Sequence, residues 1–481
     1  MEEIKNVQTI KLPEEFCRRM EKMLGEEYTA FLDAFEKGDS WKALRVNTLK
    51  TDPESFLRIY PGSLERVPWT DNGFYYEEKD RPGRSPLHEA GLYYIQEPSA
   101  MAVAALSGTE PGERVLDLCA APGGKSTQLA CMLQGEGLLA ANEIHPGRAR
   151  ILSQNIERMG IGNAIVTNES PESLAGVFPA FFDRIIVDAP CSGEGMFRKE
   201  EQALACWSLE NIALCAARQA DILDQAARML TDGGVLIYST CTFAPEEDEG
   251  SVASFLVRHP DFEILPLASS LGEKLSLFGF RRGDPAYLEL VPDADPALCQ
   301  VQGLDETLRL WPHRLRGEGH FMAALIRKGR KFRSRLSGRT RPVDQAQLRL
   351  FRDFSGEALK TELKGHFITF GAELYLEPEP LPLKGIRVLR PGLHLGTFKK
   401  NRFEPSHALA LHLSPEKASR TLDLSLSSGE ALSYMRGDSL PCGDLKGWTL
   451  VCIEGRSAGW GKAAGGMLKN HYPKGLRLTG I

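Results

Sequence analysis

Val115-Leu-Asp117-Leu-Cys119-Ala-Ala-Pro122-Gly123-Gly124-Lys125-Ser126 decides how this chain folds. An apolar run ends in a tight glycine turn that feeds straight into a helix start. That arrangement offers backbone N–H groups and a positive helix end to a nucleotide-like ligand. Around it, short apolar runs at 114–119, 137–143, 163–168, 182–189 and 233–240 alternate with helical stretches. Such alternation specifies an α/β fold: a doubly wound, Rossmann-like parallel sheet covered on both faces. Pro146 opens a helix through Met159 and Gly160 closes it, as the backbone preferences of proline and glycine require. Another helix is expected from Pro245-Glu246-Glu247-Asp248 to about His259, with its acidic residues at the positive end of the dipole.

A chain of 481 residues allows about three domains of ordinary size. Its net charge of −6 gives no general attraction to nucleic acid, so any such face must be local. Ten cysteines without a C-x-x-C pair argue against a disulfide framework or a zinc ribbon, and no metal is expected. There is no basic, apolar leader and no run of 18 apolar residues, so a cytoplasmic protein without a membrane role is expected. Residues 1–95 read as a small α+β unit, with one helix from Pro13 to near Gly38, an extended run over Ala43–Leu49 and a turn at Asp71-Asn72-Gly73. Residues 96–326 form the sheet domain. Residues 327–341 carry eight basic side chains and no acidic one, and read equally as a solvated tether or a phosphate contact. Residues 342–481 read as one or two small β-rich units. In the last 26 residues Lys462, Lys469, Lys474 and Arg477 are interleaved with Trp460 and Tyr472. Such aromatics either stack bases or form the core of a small barrel.

As a phosphate loop, the glycine motif would need glycine five positions before Gly124, where Cys119 stands, and it lacks the G-x-G-x-x-G of dinucleotide folds. S-Adenosyl-L-methionine remains, cradled by Cys119, Ala120, Ala121, Pro122, Gly123, Gly124 and Lys125, with Glu143 placed to accept hydrogen bonds from ribose hydroxyls. Cys191, in Asp188-Ala-Pro-Cys191-Ser-Gly193, and Cys241, in Tyr238-Ser-Thr-Cys241-Thr, each follow directly on an apolar run. Ligands of open parallel sheets bind beyond the carboxyl ends of the strands, so both thiols should face one crevice. Either cysteine alone reads as buried core. Together, beside a cofactor loop, they point to covalent catalysis. A thiolate adding at carbon 6 of a cytosine turns carbon 5 into a nucleophile toward a sulfonium methyl. Such a thiol needs a nearby cation or helix N-terminus, for which Lys125 and the helix after Cys241 are candidates. A carboxylic group at Asp188 would hydrogen-bond the N3 edge of the ring. Spacing does not say which thiol attacks and which serves as acid or base.

These segments resemble the RNA cytosine-5 methyltransferase family. The matching pieces are His88 with Gly91–Ser99, Cys119–Lys125, Glu143, Asp188–Gly193 continuing to Lys199, Ser239–Thr242, Trp311-Pro-His313 and His320-Phe. The tail from Gly459 to Arg477 is similar to the family's PUA-like RNA-binding end, and the whole-chain arrangement is most similar to the members that act on bacterial 16S rRNA. The resemblance implies that Cys241 is the nucleophile and that Cys191 assists product release. In DNA cytosine-5 methyltransferases the nucleophile sits instead in the Pro-Cys motif, so the presence of both thiols favours RNA. The resemblance further implies 16S rRNA or the small ribosomal subunit as partner. A tRNA substrate, or an idle assembly factor that only binds RNA, is the alternative. The family's aspartate near the end of the third strand is replaced here, with Ser170 at the equivalent position and Asn168 and Glu169 as substitutes.

Overall fold

The computed structural model describes residues 11–36, 40–292, 294–332, 334, 336, 338 and 343–478. Four strands, β1 (Ala43–Val46), β2 (Leu64–Arg66), β3 (Gly73–Tyr76) and β4 (Tyr93–Gln96), form an antiparallel N-terminal sheet in the order β2-β3-β1-β4. The central sheet follows, with β5 (Arg114–Asp117), β6 (Leu138–Asn142), β7 (Ala164–Thr167), β8 (Phe182–Asp188) and β9 (Leu230–Thr240) all parallel in the order β9-β8-β5-β6-β7. Burial explains why these runs are strands. Val115, Leu139, Val166, Ile186 and Ile237 pack on one face, and Leu116, Ile165, Ile185, Leu236 and Tyr238 on the other. Successive side chains of a strand point to opposite faces, so a sheet covered on both sides needs unbroken apolar runs.

The chain leaves β5 toward β6 on one side and β8 on the other, so a topological switch point lies between β5 and β8. Beyond β9 the sheet continues antiparallel through β10 (Phe262–Ile264), β11 (Phe280–Arg282), β12 (Leu308–Leu310) and β13 (His320–Arg327), β13 lying directly against β9. In the C-terminal region β14 (His366–Phe370), β15 (Glu373–Glu377), β17 (Leu393–Lys399) and β18 (Arg402–Pro405) form a separate sheet, whereas β16 (Val388–Arg390) returns to pair with β7. A last sheet of five strands runs from Thr421 to Asn470. Among the described residues no helix is long and apolar enough to cross a membrane.

Several expectations need correction. The single N-terminal helix is two, Glu14–Leu24 and Tyr28–Glu36, broken where Gly25 takes φ +52, and residues 37–39, with the expected end at Gly38, lie outside the described residues. The helix expected from Pro245 starts only at Glu249, and Glu246–Asp248 are not a solvated dipole cap. Glu247 and Asp248 are fully buried. Glu247 accepts from the Ser192 N–H at 3.0 Å and Gln219 Nε2 at 2.8 Å, and Asp248 from Thr240 Oγ1 at 2.6 Å. The C-terminal region is β-rich, as expected, and carries helices as well. Its helix Gln345–Ala358 packs Phe351 and Phe354 into a cluster with Trp448 and Trp460.

Trp460 and Tyr472 are each 2% exposed, and Trp460 Nε1 donates to the Ser406 carbonyl at 3.0 Å, so both serve as core rather than as a base-stacking platform. In the basic stretch, Arg327 ends β13 and pairs with Asp232 and Asp261, and Lys331 lies 3.7 Å from Glu113. Arg333, Arg335, Arg339 and Arg341 lie outside the described residues.

Candidate active site

The carboxyl ends of β5, β6, β8 and β9 meet at the switch point. A cavity of about 190 Å³ opens there, lined by Tyr94, Gln96, Asp117, Cys119, Pro122 and Asp188, among others. The loop Cys119–Gly124 forms its floor, and Gly123 takes φ +115, a conformation that glycine adopts freely. A Cβ on Gly124 would come within 3.4 Å of Gln96 and Tyr94, so the helix Gly124–Leu133 approaches the N-terminal sheet at backbone distance. Arg45 of β1, fully buried, fixes this contact by donating to Gln96 Oε1 at 2.9 Å, Thr127 Oγ1 at 2.7 Å and the Gly124 carbonyl at 3.2 Å.

Asp117 closes β5. Its Oδ2 accepts from Ser126 Oγ at 2.6 Å, while Oδ1 is buried without a partner among the described residues. Burial, opposed by the Ser126 bond, pushes its carboxyl up to about 7. An orphaned carboxylate oxygen in a cavity floored by a glycine turn fits a ligand that brings its own hydrogen-bond donors. Glu143 follows directly on β6, where its Oε1 accepts from the His145 N–H at 2.9 Å and Oε2 lies 3.4 Å from Arg148. Asn168 Nδ2 braces this turn by donating to the carbonyls of Glu143 and Ile144 at 2.7 and 2.8 Å.

Ser170 does not join this group. Its hydroxyl caps the helix Pro171–Val177 through the Ser173 N–H, and Glu169 Oε1 is taken by the Arg387 N–H at 2.6 Å. Cys119 lines the cavity, and burial together with Asp117 and Asp188 drives its thiol far up, so it serves as lining.

Beyond β8 and β9 the two other thiols meet, with Cys191 Sγ and Cys241 Sγ 3.4 Å apart. The loops that carry them are tied together. Ser192 Oγ bonds Thr242 Oγ1 at 2.7 Å, the Gly195 N–H donates to the Cys241 carbonyl at 2.8 Å, and the Phe243 N–H donates to Glu194 Oε2 at 3.0 Å. Glu194, wholly buried, also accepts from Trp207 Nε1 at 2.8 Å and from the Arg19 guanidinium of the first helix. A Cβ at Gly195 would sit 2.9 Å from the Cys241 carbonyl, so only glycine permits this approach. Contact with Cys241, with burial added, pushes the Cys191 thiol well above its ordinary range.

Asp188 joins the two halves. Its Oδ2 accepts from Lys125 Nζ at 2.7 Å, its Oδ1 from Ser239 Oγ at 2.8 Å, and His320 Nε2 lies 3.5 Å from Oδ1. Burial opposes ionisation, but Lys125 and His320 outweigh it and hold the carboxyl well below the usual range. Asp188 therefore rests ionised, without the proton that a carboxylic donor to N3 would need. Lys125 pairs with Asp188 rather than with a thiol, and the helix after Cys241 begins eight residues on.

Cys119–Lys125, Glu143, Asp188, Cys191 and Cys241 thus converge on one sheet edge, and Ser170 stands apart. From sequence, Asp117 and Arg45 carry no role, and His320 stands only in a segment that matches the family. Asp117 precedes the glycine loop by a few residues and was legible as a strand-end acid, whereas the others depend on distant chain segments.

A doubly wound sheet with a glycine cradle, strand-end carboxylates and a thiol pair at its switch point defines a Rossmann-like methyltransferase. A family described as 16S rRNA methyltransferase RsmB/F matches residues 104–326, and the N-terminal, first C-terminal and PUA domains described for RsmF match 12–98, 353–413 and 421–478. The ribosomal RNA small subunit methyltransferase F of Vibrio vulnificus is 32% identical over 90% of this chain and 91% of its own, and that of Escherichia coli O157:H7 31% identical over 98% of each. A solved methyltransferase homologue from Pyrococcus horikoshii, 29% identical, superimposes over 66% of this chain and 96% of its own with a TM-score of 0.54. The chain belongs to the RsmF family of 16S rRNA methyltransferases.

Proposed function

We propose that this protein forms 5-methylcytosine in 16S rRNA through a transient bond between Cys241 Sγ and carbon 6 of the pyrimidine. The observation that carries this reading is the pair of thiols 3.4 Å apart at neighbouring strand ends, beside an ionised Asp188. Two thiols at that distance do not both ionise readily. The resemblance to the RNA cytosine-5 methyltransferases gives the attack to Cys241 and leaves Cys191 as its protonated neighbour. Attack by Cys241 on carbon 6 breaks the aromaticity of the ring and gives carbon 5 enamine character. Asp188, as a carboxylate, accepts hydrogen bonds from the N4 amino group and from N3 once that atom is protonated. Cys191 serves the release step as the acid that protonates the departing Cys241 sulfur when the carbon 6 to sulfur bond breaks, and the carbon 5 proton passes to water.

S-Adenosyl-L-methionine, when bound, supplies an electrophilic methyl group. The residues that would hold it are the Cys119–Gly124 loop with Lys125, the unpartnered Asp117 oxygen and the Glu143 carboxylate. The relatives named as small subunit methyltransferases support rRNA as substrate. A stacked base hides carbon 6 from any thiol, so the target cytosine must leave its stack. The flanking units, residues 1–95 and 342–481, then hold RNA backbone around it.

The test is covalent trapping on unmodified 16S rRNA. Cys241→Ala should abolish methylation and adduct alike, and Cys191→Ala should accumulate a protein–RNA species that survives denaturation. A stable adduct from Cys241→Ala would reverse the roles.

A further inference from the structure

We propose that His320 stores the proton which pyrimidine N3 carries while the ring is bonded to Cys241, acting through Asp188 as a positioning and relay residue. This rests on the covalent reading above. His320 opens β13, and its neighbour Phe321 pairs with Thr240, so His320 stands beside Cys241 at the same sheet edge. Its ring is 4% exposed. Nδ1 lies 3.0 Å from the Gly319 carbonyl, which only accepts, so Nδ1 carries hydrogen and Nε2 is the nitrogen that gains and loses a proton. Nε2 is buried and faces Asp188 Oδ1 at 3.5 Å, with no closer polar partner among the described residues.

A neutral ring would turn its Nε2 lone pair on an anionic oxygen. A cationic ring would instead aim an N–H at it. The charged groups around the ring are Asp188 with its Lys125 partner, Glu97 at the start of the helix Pro98–Ala105, the Glu318 carboxylate held by Arg198 and Lys199, and the two thiols.

The chemistry demands such a store. As Sγ bonds to carbon 6, the carbon 5–carbon 6 π pair moves between carbons 4 and 5. The carbon 4–N3 pair then settles on N3, which takes up one proton. Asp188 at rest has none to give. Nε2 gives its proton to Asp188 Oδ1, the neutral acid so formed passes that proton to N3, and the proton returns by the same path when the carbon 6 to sulfur bond breaks. No proton is gained or lost over the cycle except the one that leaves carbon 5.

The experiment follows adduct formation against pH, using full-length protein and 16S rRNA transcribed with 5-fluorocytidine, whose fluorine cannot leave as a proton does. In the wild type the rate should rise and then fall with pH. In His320→Gln it should be about 10- to 100-fold slower and lack the falling limb, with S-adenosylmethionine binding unchanged. A falling limb retained in His320→Gln overturns the proposal, as does an unchanged rate. Should the variant not fold, NMR of the wild-type histidines decides: the His320 titration should move to lower pH in Asp188→Asn, and no movement overturns the proposal. A wild type that forms no adduct at all defeats the covalent reading itself, a result distinct from either.

Discussion

The cysteine crevice and the last five-stranded sheet carry similar signals in sequence, reactive or sticky side chains at short spacing, and the structure treats them in opposite ways. In the crevice, polar atoms are left wanting: Asp117 Oδ1 has no partner among the described residues, His320 Nε2 meets only Asp188 Oδ1 at a long 3.5 Å, and Asp188 keeps a third of its side chain open. In the sheet, Trp460 finds its indole partner in the Ser406 carbonyl and packs against Trp448 and Phe354, and Tyr472 packs against Tyr434 and His407. Buried polar groups are ordinarily satisfied from within the protein, and of the unpartnered ones it is Asp117 Oδ1, beside an open cavity, rather than the Tyr472 hydroxyl closed in by packing, that marks where a ligand belongs. An aromatic ring consumed by its own module does not serve a base.

That contrast can be broken in three places. Asp188→Asn removes the charge shared by Lys125 and His320 while keeping the shape, and should lower kcat for methylation by about 10²- to 10⁴-fold. A normal kcat would make Asp188 an ion-pair anchor and nothing more. Trp460→Ala should cost the C-terminal module roughly 3–5 kcal/mol in a urea or thermal melt. A variant of unchanged stability that has lost RNA affinity would restore the stacking role to this ring.

The smallest effect is expected at Glu247, whose carboxyl is pushed up to about 8 by burial, against the bonds from Ser192 and Gln219. The folded chain holds a proton there that the unfolded chain releases at ordinary carboxylate pH. Stability therefore falls as pH rises from about 5 toward 8. Glu247→Gln, which keeps an acceptor for the Ser192 N–H, should remove that slope and gain on the order of 2 kcal/mol over the wild type near pH 8, read as a melting temperature that changes less between pH 6 and pH 8. An unchanged slope would mean that the carboxylate is ionised in its burial.

Much of the fold was legible because it is written locally. The run 182–189 is β8 with one residue to spare, and the helix opened by Pro146 ends at Arg158, two residues before Gly160. Each depends on turn-formers and apolar runs within a dozen residues. The same rules failed at Glu246–Asp248, since a cluster of acids reads as solvent-facing until Ser192, Gln219 and Thr240 close around it. Gly25 ended the first helix early because its positive φ gave the chain a way out that helical spacing alone does not reveal. Ser170 sat at the right place in the alignment of motifs, yet its oxygen caps a helix, a local use that the four residues Ser170–Ser173 already allowed.

By itself, the sequence determined the parallel sheet, the glycine cradle and the two thiols at strand ends, because strand direction and turn chemistry place those groups wherever the chain runs. Tertiary structure alone decided that the sulfurs stand 3.4 Å apart, that Asp188 is ionised, and that His320 faces it from an antiparallel strand more than a hundred residues away. Charge state and separation are set by what surrounds a group in space. Neighbours drawn from distant parts of the chain, and the water they displace, leave no local trace in the order of residues.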